Sequence, residues 1–113
     1  MSKSYRELNV WKQSFQVAED VYKLCISLPQ TEKFGLKSQM QRCAVSIPSN
    51  IAEGQQRNGA KEFSQFLSIA RGSAAELSTQ LLLTSSIYKV DTSKLVDDVE
   101  AIQRMLYALQ QKL

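Results

Sequence analysis

Two stripes of side chains run beside each other through residues 34–57. At about 100° per residue on a helix, Leu36, Met40, Cys43, Ile47, Ile51 and Gly54 share one face, and Gln39, Arg42, Ser46, Asn50, Glu53 and Arg57 share the next. The apolar stripe predicts a helix packed on a core. The polar stripe predicts partners, because Ser, Asn and Gln gain little from helix formation alone. A third face, Val45, Pro48, Ser49 and Ala52, is small enough for another backbone to approach. Pro48 lacks the amide proton that a mid-helix position needs, which predicts a bend near Ala44.

Residues 7–28 carry two seams of heptad type rather than one. Leu8, Trp11, Phe15, Ala18, Tyr22 and Cys25 form the first; Val10, Ser14, Val17, Val21, Leu24 and Leu28 form the second. One seam suffices for a helix at the edge of a bundle. The aromatic seam is therefore assigned to the core and the valine-rich seam to a neighbouring subunit. Pro29 ends this helix, and residues 30–33 are a connection of the length that joins antiparallel helices.

Asn58 and Gly59 can adopt the left-handed backbone that closes a helix. A long helix over 60–88 follows, its core face made of Phe63, Phe66, Leu67, Ala70, Ala74, Leu77, Leu81 and Tyr88. Its second face mixes Ile69, Gly72, Glu76, Leu83 and Ile87, and Glu76 calls for a basic or amide partner there. Residues 93–113, capped by Asp91, Thr92 or Ser93, hold the single seam Leu95, Val99, Ile102, Leu106, Leu109 and Leu113 and form the outer helix. The pattern predicts one all-α domain over 1–113, an antiparallel up-down-up-down four-helix bundle. It also predicts a homo-oligomer whose interface includes Val10, Val17, Val21, Leu24, Val45, Ala52 and Ile69.

Composition narrows the chemistry. A hydrophobic share of 43% over 113 residues is enough for a core without metal or disulfides. No apolar run approaches the ~18 residues of a membrane span, and the first residues resemble no signal peptide, so a cytoplasmic location is expected. Cys25 and Cys43 match no zinc or redox spacing and read as small buried hydrophobes. There is no histidine, which removes the usual general base and the commonest metal ligand. Through Arg71 the chain has ten cations against six acids, and after it four against five. An oligomer would multiply that excess into a field that attracts polyanions.

The run from Gln39 to Gly54, with Ser46-Ile47 and Asn50-Ile-Ala-Glu-Gly54 as its most specific part, is followed by Arg57, by Phe63 to Leu67, and by Ala70-Arg-Gly-Ser-Ala-Ala-Glu-Leu77. Trp11 and the spacing of Pro29, Glu32, Phe34, Gly35 and Leu36 go with them. Together they resemble the four-helix-bundle proteins encoded in intervening sequences of bacterial large-subunit ribosomal RNA genes. The resemblance implies a small helical bundle that assembles as a pentameric ring. It also implies distant kinship with the accessory variability determinant of diversity-generating retroelements, a basic pentamer that binds the reverse transcriptase and nucleic acid. It brings no catalytic residues and no cofactor.

Three uses of the polar stripe follow. Gln39, Arg42, Ser46, Asn50, Glu53 and Arg57 can fix register against neighbouring helices and Glu76; Arg42, Arg57, Lys61 and Arg71 can present cations to nucleic acid; or the stripe can hold an active site. The last fits poorly, since Ser46 and Ser49 have no base at triad spacing and Glu53 has no second carboxylate. The expectation is a non-enzymatic oligomer, without cofactor or metal, that binds RNA or DNA, as an accessory to an intervening or mobile element, with a nucleic-acid-processing protein as a further partner. The alternative is a protein scaffold with no nucleic-acid role.

Overall fold

The computed structural model describes residues 4–113. Four α-helices account for most of them: α1 Asn9–Ile26, α2 Leu36–Gln55, α3 Ala60–Tyr88 and α4 Ser93–Gln111. Short 3-10 turns at Tyr5–Glu7 and Gln30–Glu32 precede α1 and α2, so the first two helices start and stop about two residues inside the expected 7–28 and 34–57. No strand is present among the described residues.

α1 packs on α2 and α4, and α3 packs on the same two helices, so α1 and α3 lie diagonally across the core. Met40 meets Thr84, Ser46 meets Ser73, and Gly54 meets Phe63 and Phe66. The first half of α2 therefore lies against the second half of α3, and the reverse. Met40, Ile47, Ile51, Leu67, Leu77, Leu81, Val99, Ile102 and Leu106 are fully enclosed at the centre. The expected apolar stripes of α2, α3 and α4 supply all nine.

α1 departs from the sequence expectation in part: Leu8, Trp11, Ala18 and Cys25 of the aromatic seam pack on the core, and the valine seam joins them there. Val10, Val17 and Val21 are 4%, 2% and 0% exposed and sit in the core with Ser14 and Cys25, so they offer nothing to a second subunit. Phe15 and Tyr22, expected inside, are 47% and 48% exposed. Volume gives the reason. Small Val, Ser and Cys side chains let α1 sit close to α2 and α4, and Ser14 satisfies its hydroxyl locally by donating to the Trp11 carbonyl at 2.9 Å. Leu24 is half-buried, whereas Val45 and Ile69 are exposed and Ala52 is partly so.

Local chemistry sets the corners. Gly59 enters α3 with φ 116°, a left-handed value open to glycine, while Asn58 keeps a negative φ. Lys89 ends α3 in the left-handed region at φ 57°, its N–H bonded to the Ser85 carbonyl at 2.9 Å. Asp91 caps α4 by accepting from the Ser93 N–H at 3.0 Å, and Thr92 turns its hydroxyl inward to the Leu81 carbonyl at 3.0 Å. α2 runs unbroken through Pro48, whose ring is buried.

Candidate functional site

The polar stripe of α2 divides into parts with different neighbours. In its middle, Ser46 and Ser73 share a hydrogen bond of 2.9 Å between α2 and α3, and Asn50 donates to the Ser46 carbonyl and hydroxyl at 2.8 and 2.9 Å. Neither serine has a basic group in this set, so the cluster fixes register and holds no activated nucleophile. At its end, Arg57 pairs with Glu53 at 2.7 Å, approaches Glu62 at 4.0 Å and lies 4.9 Å from the centre of the Phe66 ring. This clamp joins α2 to α3 around Gly54, and it leaves the Arg57 charge compensated. At its start, Arg42 is exposed and reaches Gln39 alone, at 3.4 Å.

Glu76 does not join this network. It is exposed on α3 between the buried pair Ser73–Ala74 and the buried Leu77, near enough to Cys43 for its charge to add to the effect of burial in raising that thiol, and forms no hydrogen bond or ion pair among the described residues. The expected partner for it is therefore absent. Burial pushes the thiols of Cys25 and Cys43 up from their ordinary value, with Lys37 partly opposing the shift at Cys25 and Gln80, which donates to Cys43 at 3.5 Å, opposing it at Cys43.

Arg71 and Lys61 lie along a different surface, between α3 and α4. Gln110 accepts from Arg71 at 2.9 Å and donates to the Ser64 carbonyl at 2.9 Å and the Ser68 hydroxyl at 2.8 Å. The Arg71 guanidinium lies 5.0 Å from the centre of the Tyr107 ring. Lys61, Ser64, Gln65 and Gln110 line an adjoining open groove of about 510 Å³. Sequence reasoning named Lys61 and Arg71 but missed Ser64, Ser68, Tyr107 and Gln110. The spacing of Ser64 with Ser68 and of Tyr107 with Gln110 was the available sign, since each pair falls on one helical face.

A second concavity, of about 620 Å³, lies between α1 and α2. Trp11, Phe15 and Tyr22 form one wall, Val45, Pro48 and Ala52 the other. The rings of Trp11 and Phe15 are 5.2 Å apart, and Tyr5 meets Trp11 edge-on at 5.4 Å. The outer side of the aromatic seam, with Phe15 and Tyr22 exposed, is thus one wall of a surface groove, opposite the small-residue face of α2.

Among the described residues no helix is long and apolar enough to cross a membrane, and no cluster of His, Cys, Asp or Glu could hold a metal ion. Fold and surface define an all-α protein of four helices with an apolar groove between α1 and α2 and a polar surface between α3 and α4 that carries Lys61 and Arg71. The family described as 23S rRNA-intervening sequence protein matches residues 6–108, and the chain belongs to that family. In fold it is similar to a crystal structure of a protein of unknown function from the S23 ribosomal protein family of Bacteroides thetaiotaomicron, at a TM-score of 0.82 and 23% identity over 89% of this chain and 97% of that one. No curated protein matches the chain.

Proposed function

We propose that this protein is a non-enzymatic, homo-oligomeric, up-down-up-down bundle that binds nucleic acid through the face formed by α3 and α4. The observation that carries the reading is Arg71: its guanidinium is positioned by Gln110 and Tyr107 and forms no ion pair among the described residues. Lys61 adds a second uncompensated cation at the edge of the same face. Arg57 is clamped by Glu53, and Arg42, though unpaired and exposed, is on α2 rather than on this face. The family's description ties it by name to 23S rRNA, which favours RNA. Phosphate contacts of this kind carry no sequence information and weaken steeply with salt.

Assembly belongs to the groove between α1 and α2, where an exposed aromatic wall faces small residues. A pentameric ring, as the family resemblance implies, is the proposed form. The same groove supports the second reading, a scaffold that engages another protein and no nucleic acid.

Titration of a labelled structured RNA at two salt concentrations tests the main reading. Affinity should fall sharply at the higher salt, and the double change Lys61→Glu with Arg71→Glu should weaken it further. An affinity that ignores both would count against this surface, and the absence of binding at low salt would favour the scaffold. Light scattering tests assembly: Val45→Arg should dissociate the oligomer, and a monomeric parent protein would sink the groove as an interface.

A further inference from the structure

The α3–α4 face has features that phosphate binding alone does not require. Tyr107 is 52% exposed although its ring is large and apolar. Arg71 is held beside it before any ligand arrives, because Gln110 is itself anchored on Ser64 and Ser68. A planar guanidinium fixed in this way loses little rotamer freedom on binding and keeps further N–H donors. Arg104, exposed one turn before Tyr107 on α4, adds positive charge, and α4 has no acid after Glu100. On α3 the exposed Glu76, five residues after Arg71, forms no ion pair with it, and Glu62 lies by Arg57.

Resting on the reading that this face binds nucleic acid, we infer that Arg71 and Tyr107 form a stacking platform for an unpaired base, so that the ligand is single-stranded nucleic acid. Lys61 and Arg104 flank the platform and take the phosphates on either side. A duplex keeps its bases stacked on each other and presents mainly phosphates to such a surface, leaving the aromatic ring without a role. An unpaired base can lie on an exposed ring or guanidinium plane whatever its identity. Ser64, Ser68 and Gln110 surround the platform with short or uncharged groups, which neither repel a backbone nor obstruct a base.

The test is anisotropy titration of the full chain with a labelled, unstructured single strand of about 12 nucleotides and with the duplex of the same sequence. The wild-type protein should prefer the single strand. Tyr107→Ala should weaken that binding about ten-fold while changing duplex affinity little, and Tyr107→Phe should retain it. Arg71→Lys, which keeps charge and removes the planar group, should reduce single-strand affinity at unchanged salt dependence. Equal single-strand affinity for Tyr107→Ala and the parent, with Lys61→Glu still weakening it, would overturn the platform and leave the phosphate-binding reading standing. A preference for duplex would also overturn it. Failure of the parent protein to bind either ligand would remove both.

Discussion

Tyr88, the last residue of α3, donates its phenolic proton to Glu32, which stands ahead of α2. The other carboxylate oxygen of Glu32 accepts from the Leu36 N–H at 3.0 Å, so one side chain caps α2 and ties it to the far end of α3. The Tyr88 hydrogen bond, and then that of Leu36, hold the Glu32 carboxyl below its ordinary value of 4.5. The same contact pushes Tyr88 above its ordinary 10.0.

The sign of the pH effect follows. A lowered carboxyl stabilises the fold above its unfolded value and loses that contribution as pH falls through the folded one; a raised phenol stabilises below its unfolded value and loses it as pH rises through the folded one. Thermal stability should therefore hold across neutral pH and decline on both sides. Glu32→Gln should lower the Tm at pH 7, and the gap from the parent should narrow as the pH drops below about 4. A gap that persists there, measured by circular dichroism, would mean that the contact is not the cause.

Glycine at position 54 answers to space. A methyl group there would lie 2.6 Å from the Phe66 Cβ and 3.0 Å from a Phe63 ring carbon, so Gly54→Ala should cost about 1–3 kcal/mol in denaturant unfolding despite the better helix propensity of alanine. Gly72, midway along α3, has open space around it. Gly72→Ala should stabilise by about 0.5–1 kcal/mol. Opposite signs at the two positions are the expected result.

Lys89 holds a left-handed backbone that costs an L-residue energy and costs glycine almost none. Lys89→Gly should raise stability by about 0.5–1 kcal/mol, read as a higher denaturant midpoint at unchanged slope.

Both cysteines are buried, and burial keeps their thiols protonated well above neutrality. A colorimetric thiol reagent at pH 7.5 should label neither in the folded protein and both on unfolding. Fast labelling of Cys43 without denaturant would show that the α2–α3 contact opens locally.

What could be read from the residues divides along the same physical lines. The span of α3 was legible to the residue because Gly59 and the polar turn after Tyr88 punctuate a continuous stripe. The core of α2 was legible because its two faces differ in polarity. The orientation of α1 was not, since both of its seams are apolar, and periodicity gives the angle between faces without saying which turns inward. In the fold the valines turn inward, with Val10, Val17 and Val21 at 4%, 2% and 0% exposure. The Arg71 site was half legible: its cations stand out in the sequence, whereas the reach of Gln110 to Ser64, 46 positions away, is created by the fold.

The placement of helices has a further consequence. α1 and α2 border the aromatic groove, α3 and α4 carry Lys61 and Arg71 on their shared surface, and α1 does not touch α3. Whatever fills the groove therefore leaves the opposite face open. A protein that joins copies of itself by one side displays the other once per copy, and each weak grip on a long polymer becomes one of several tethered grips. Avidity would then depend on the length of the strand more than on its sequence, with a long strand held many times more tightly than a short one that reaches a single protomer.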